Sequence, residues 1–237
     1  MKRISFSILA AAFMMLSTQG SLGQGGGLMV SAGVASVRMD DMKLLQQYIL
    51  STYPVEGKIT SSFPPYTSAS ITVFKKMYDN IRVGGGYSYA TTGGKSSYSD
   101  YSGQIVTEMM AASHRLGAYV SYSLMGGDHL ELCLYGKLDA NLTSLTIESF
   151  YNIISYSNGI TNKYRSISPL GVIGAELMYK FGNFSIGMDA GYQVDFAGNL
   201  KDTNGGDPLL DPYDSDKTLT TDWTGWNVHL KALIWFK

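Results

Sequence analysis

One stretch of this chain constrains its fold more than any other. From Leu130 the even positions read Leu130, Leu132, Leu134, Gly136, Leu138, Ala140 and Leu142. The odd positions read His129, Glu131, Cys133, Tyr135, Lys137, Asp139 and Asn141. Strand side chains alternate between faces, so this run has one wholly apolar face and one almost wholly polar face. The C-terminus repeats the pattern. Trp226, Val228, Leu230, Ala232, Ile234 and Phe236 oppose Asn227, His229, Lys231, Leu233 and Trp235. Such a face must be covered either by a protein core or by lipid.

The N-terminus reads as a secretory signal. Lys2 and Arg3 precede the apolar stretch Ile4–Leu16, and Ser21-Leu22-Gly23 offers small residues for cleavage before Gln24. We therefore expect residues 1–23 to be a signal peptide and 24–237 a single domain. Removing Lys2 and Arg3 changes the net charge from −1 to −3, which leaves no basic footprint for nucleic acid. The one cysteine, Cys133, cannot form an internal disulfide and falls on the polar face of its strand. No later apolar run is long enough for a membrane helix, so a membrane form has to be a closed barrel.

Eight strands follow from the alternation: Leu28–Val37, Thr67–Met77, Ile81–Thr91, Gln104–Leu124, His129–Phe150, Leu170–Phe181, Phe184–Phe196 and Asp222–Phe236. Breaks at His114-Arg115 and at Asn141–Ser144 would give ten, but they would interrupt the apolar rows. Tight turns at Asp79-Asn80, Met125–Asp128 and Gly182-Asn183 alternate with long connections at Arg38–Tyr66, Thr92–Gly103, Tyr151–Ser168 and Ala197–Thr221. This is an antiparallel up-and-down meander with a short-turn end and a long-loop end. The first long connection holds a helix candidate, Asp40–Ser51, with Asp40 as its cap and Met42, Leu45 and Ile49 at helical spacing. It would lie over the barrel mouth or at the outer lipid interface.

Four features turn the apolar faces toward lipid. Charged residues make up 16% of the chain, against roughly 25% in soluble domains. The polar faces carry small residues (Ser121, Ser185, Gly187, Gly191) that suit a narrow lumen. Short turns gather at one end, and aromatics such as Tyr87, Tyr89, Phe184, Phe196 and Trp226 stand near strand ends, where interfacial girdles form. Each clean run also reaches the length needed to span a bilayer. The fold class expected is an all-β, eight-stranded transmembrane barrel.

In these features the chain resembles the small outer-membrane β-barrel family of Gram-negative bacteria, of the OmpA/OmpX type. The resemblance spans about Leu28–Lys237. Its most specific element is the last strand, Val228, Leu230, Ala232, Ile234 and Phe236. In that family such a strand, ending in an aromatic, is the signal read by the barrel assembly machinery. Here the aromatic is penultimate, since Lys237 follows it. No wall-binding domain follows the barrel, so a wall-anchoring role does not carry over. The resemblance implies the outer membrane as location, its lipid as surroundings, and a monomer.

The lumen face supplies Arg82, Arg115, Glu131, Lys137, Asp139, Glu176, Lys180, Asp189, Gln193, Asp195, His229 and Lys231. The five acids and five bases among them balance, as an internal salt-bridge plug requires, because an unpaired buried charge is costly. A structural or surface-interaction role through the long outer loops, with an unidentified extracellular ligand, follows from a plugged lumen. Transport of a small apolar ligand is the alternative. A lipid-modifying enzyme is a second: His114 has outward parity, with Ser113 and Glu108 near it in sequence, whereas His129 and His229 are placed toward the lumen. No GxSxG elbow occurs. Gly94-Lys95-Ser96 lacks the first glycine of a phosphate loop and a following helix. The aspartates of Asp202–Asp216 lack the spacing of a Ca²⁺ loop. No cofactor or metal is expected.

Overall fold

The computed structural model describes residues 25–53, 56–101, 103–153 and 156–236; the signal segment expected at 1–23 lies outside them. The chain forms a closed ring of eight antiparallel strands: β1 (Gly26–Ala35), β2 (Tyr66–Tyr78), β3 (Ile81–Asp100), β4 (Gly103–Gly126), β5 (Leu130–Ile153), β6 (Tyr156–Phe181), β7 (Phe184–Asp195) and β8 (Gly225–Phe236). Each strand pairs with its neighbour in sequence, and β1 pairs with β8 to close the ring. Closure satisfies every strand edge within the ring. The short turns fall where the sequence predicts them, at Asp79-Asn80, between Gly126 and Leu130, and at Gly182-Asn183, where Gly182 adopts φ 63°.

Two long connections are not loops. β3 continues to Asp100 and pairs with β4 as far as Gly103; β6 begins at Tyr156 and pairs with β5 throughout. The Gly-, Ser- and Asn-rich halves of these hairpins read as loop. Their partners Ile105, Val106, Thr107, Ile147 and Phe150 are strand formers, and the ladder is completed across the pair rather than along one segment. β3 to β6 therefore rise past the other four strands as a curved wall. The short strand Lys58–Ser62 extends the wall at β3, and Lys201–Asp202 extends it at β6.

The helix α1 forms over Asp40–Ser51 as expected, and it lies inside the wall. Asp40 does not cap it. The residue before the helix is Met39, in the left-handed region at φ 50° with no side-chain cap. The nearby carboxylate that works is that of Asp41, which accepts the Thr220 N–H at 3.0 Å and its hydroxyl at 2.8 Å. Met39, Met42 and Leu45 bury against Phe63, Met109, Leu145, Leu170, Leu219 and Trp223. This apolar plug closes the long-loop mouth. A second cluster, with Met29, Phe74, Tyr119, Tyr135, Met178 and Leu233, fills the lumen toward the short-turn end.

Outside, the apolar rows are exposed all round the ring. Leu138 is 65% exposed, Ile173 71% and Leu230 73%, and Val34, Ile71, Val120 and Met188 continue the belt. The polar rows face inward. An apolar outer surface around a polar interior is the reverse of a water-soluble barrel.

Candidate functional site

Alternation along β3 to β8 delivers the predicted polar side chains to the lumen, where they settle in two tiers. In the lower tier, nearer the short turns, Glu176 is the hub. Its Oε1 accepts Arg82 Nη2 at 2.7 Å and the Tyr119 hydroxyl at 2.8 Å, while its Oε2 takes Lys231 Nζ at 2.6 Å. Lys231 also reaches Asp189 Oδ2 at 2.9 Å. Asp189 Oδ1 meets His229 Nδ1 at 3.0 Å and accepts the Tyr135 hydroxyl at 3.1 Å. His229 Nε2 is 2.8 Å from the Ser68 hydroxyl. Glu131 pairs with Lys180 at 3.1 Å and lies 3.9 Å from Arg82. Cys133 is fully buried and accepts from Arg82 at 2.8 Å.

The upper tier is built around Arg115 and Asp195. Arg115 donates to Gln193 Oε1 at 3.0 Å, to the Tyr66 hydroxyl at 3.2 Å and to Ser113 at 2.9 Å, and its guanidinium stacks 5.4 Å from the Trp223 ring. Gln193 donates to the Trp223 carbonyl. Asp195 accepts from Ser168 at 2.6 Å, Asn141 at 3.3 Å and the Trp223 N–H at 3.2 Å. Lys137 and Asp139 line the small space of about 30 Å³ between the tiers, beside Arg115, Tyr135 and His229.

The ion pairs of the lumen gather in the lower tier. Arg82, Lys180 and Lys231 answer Glu131, Glu176 and Asp189 below, while Arg115 and Lys137 share the upper levels with Asp139 and Asp195. Arg82, Lys180 and Lys231 thus each meet a carboxylate within 4.0 Å, whereas among the described residues Arg115 and Lys137 make no ion pair within that distance, and Arg115 is held by Gln193, Tyr66 and Ser113. Tyr66, Tyr119 and Trp223 join these networks without having been predicted, and Tyr135, Asn141 and Asn227, read on the polar faces but not as network members, join them too. The parity that placed Glu131 and Arg115 inside also places Tyr119, Tyr135 and Asn141 there. At the short-turn mouth a vestibule of about 330 Å³ opens between Lys76, Arg82, Glu131, Lys180 and Trp235.

The hydrolase residues do not assemble. His114 faces outward and accepts or donates one hydrogen bond with the Tyr87 hydroxyl at 2.7 Å. Ser113 faces inward and donates to Asn141 at 2.6 Å. Glu108 lies six residues along the same strand, about 20 Å away, and is paired with Lys95 at 2.6 Å. His129 is not in the lumen: it lies in the turn before β5, and its ring stacks on the outward Tyr179 at 5.8 Å. The residue precedes the first ladder pair of its strand, so strand parity does not govern it. The aspartates of the 197–224 connection act as turn formers: Asp202 caps Asn204 and Gly205, Asp211 caps Tyr213 and Asp214 caps Asp216. Lys95 and Ser96 are ladder residues of β3 rather than a phosphate loop.

No protein-family model and no curated protein matches the chain. Among solved structures, the chain is similar to Neisserial surface protein A, at 12% identity and a TM-score of 0.38, over 90% of this chain and 100% of that one. It is also similar to the attachment invasion locus protein Ail of Yersinia pestis, at 13% identity and a TM-score of 0.37, over 90% and 99% of the two chains. The outer membrane protein OprG of Pseudomonas aeruginosa matches at 13% identity and a TM-score of 0.40, over 90% and 96%.

Proposed function

We propose that the protein is an outer-membrane β-barrel, secreted through a cleaved signal, that holds a sealed lumen in lipid and acts at the cell surface through its raised wall. The observation that carries this reading is the exposed apolar belt. On β5 it runs from Leu130 to Leu142 on one face, with Leu130, Leu134, Leu138 and Leu142 exposed. That span is about 40 Å of strand, or roughly 30 Å along the membrane normal at the usual tilt. In water such a surface would aggregate; in a bilayer it is solvated. The two charge tiers and the apolar plug support a structural role for the lumen rather than conduction. The β3–β6 wall, with α1 and the 197–224 connection inside it, is the part left to meet an extracellular partner. The strand Val228–Phe236 presents its apolar side chains outward, as an assembly signal for the barrel machinery requires.

Fractionation tests the reading. The protein is expected in the outer-membrane fraction, with a folded form that migrates differently from the boiled form on a gel. A freely soluble periplasmic product would overturn it.

A further inference from the structure

Just above the apolar belt, three cations crowd one patch of the outer wall. Lys163 and Arg165 lie two residues apart on β6, and Lys201 pairs directly opposite Arg165. All three are exposed. Lys163 and Arg165 continue the outward row of Ile167 and Ile173, while the alternate residues Ser166 and Ser168 are buried inward. Asp202 pairs with Tyr164 and so shares the inward face, where its carboxylate caps the next turn. Two exposed acids stand near the patch: Glu148, opposite Thr161 and one diagonal step from Lys163, and Asp207, adjacent to Pro208, which bridges to Lys201. Among the described residues, none of the three cations has an ion pair within 4.0 Å. Lys95, on the same wall, differs: it is neutralised by Glu108 at 2.6 Å.

Like charges placed directly opposite in a sheet repel, so the patch lacks the anion that would satisfy it. What lies beneath narrows the class of anion. Two residues below Arg165, about 7 Å along the strand, Ile167 is 71% exposed, with Leu142 opposite it, and Phe196 (66% exposed) stands opposite Pro169, one diagonal step from Ile167. A free phosphate would use only the cations. A phosphorylated lipid would use both levels, its acyl chain on Ile167 and Phe196 and its headgroup on Arg165 and Lys201. Arginine and lysine side by side suit that headgroup, since one offers a planar fork and the other a compact charge.

We propose that Lys163, Arg165 and Lys201 form a site for the net-anionic phosphate headgroup of an outer-leaflet lipid. This rests on the membrane reading above. The test uses the full mature chain in detergent micelles, with short-chain phosphatidic acid, phosphatidylcholine and inorganic phosphate as probes, and counts bound lipid by native mass spectrometry. Phosphatidic acid is expected to be retained at least about tenfold over phosphatidylcholine, three near-surface cations being ample for that factor. Inorganic phosphate at equal concentration is expected not to displace it. The combined variant Lys163→Ala, Arg165→Ala, Lys201→Ala should lose the preference, and Lys95→Ala should keep it, with heat-modifiable migration reporting the fold of each. Retention of the preference in the triple variant, equal binding of phosphatidylcholine, or displacement by inorganic phosphate would each overturn the site. A chain that enters bilayers but shows no preference refutes this site alone; a chain that never enters bilayers refutes the membrane reading and the site with it.

Discussion

Lys231 and Glu176 meet at 2.6 Å with both side chains wholly buried, at the centre of the lower charge tier. Removing either charge leaves the other tier members unbalanced in a low-dielectric interior, which costs about 3–5 kcal/mol. Lys231→Met is expected to destabilise the barrel by about 3 kcal/mol. Adding Asp189→Asn removes the carboxylate that Lys231 also holds, at 2.9 Å, and should recover part of the loss. Urea midpoints for folding into detergent micelles measure both. A double variant no more stable than the single would contradict the tier account.

Close backbone approach fixes some glycines and leaves others free. A Cβ on Gly187 would fall 2.0 Å from the Leu177 carbonyl oxygen, a fixed ladder atom, whereas one on Gly171 would meet nothing within 4 Å. Gly187→Ala should cost about 2 kcal/mol, the usual scale of overpacking. Gly171→Ala should be near neutral. The same urea titration checks the pair, and equal effects would show that the register of β7 on β6 is wrong.

The plug is tied to the outer connection through Lys217, whose ammonium lies 3.0 Å from Asp41 and 3.3 Å from Asp211. Hydrogen bonds to Asp41 and then Asp211 raise the Lys217 pKa. The Tyr213 backbone N–H, followed by Lys217, holds the Asp211 carboxyl below the ordinary range. The sign follows from linkage. The lowered carboxyl contributes above the ordinary aspartate value, near about 3.9, and its contribution is lost as pH falls through the lower folded value. The raised ammonium contributes below the ordinary lysine value, about 10.4, and loses its contribution as pH rises through the higher folded value. Acrylamide quenching of Trp223, isolated by Trp226→Phe and Trp235→Phe, should therefore stay flat from about pH 5 to 9 and rise in stronger acid. Lys217→Met should raise it at neutral pH. A midpoint near neutrality would contradict the latch.

Much of this was legible because strand parity is local. The run Leu130–Leu142 assigns Glu131, Cys133, Lys137 and Asp139 to one face without knowledge of any partner, and the same holds for β7 and β8. The ends of β3 and β6 were illegible for the opposite reason. Gly93, Gly94 and Ser96 become strand only through pairing with Met110, Met109 and Thr107 in turn. The apolar plug was hidden too. Met42 and Leu45 announce a helix face, but nothing local says that Trp223, some 180 residues on, will cover it. Asp41, which binds Thr220, looked like any first-turn acid.

His114 and Ser113 lie on opposite faces of β4, so a hydrolytic role for them requires a geometry the barrel does not offer. His114→Ala is expected to leave the outer-membrane lipid profile unchanged, read by mass spectrometry of extracted lipids. A shifted profile would revive the enzyme reading.

The proposed barrel turns its apolar rows to lipid and its lower-tier charges to one another. Spin labels on the mature chain, reconstituted in bilayers, test this orientation. In a Cys133→Ser background, single labels at Leu134→Cys, Leu138→Cys and Leu230→Cys should be accessible to oxygen and shielded from a water-soluble nickel chelate. Labels as open to nickel as to oxygen, or closed to both, would put those leucines in water or in a protein core and contradict the account.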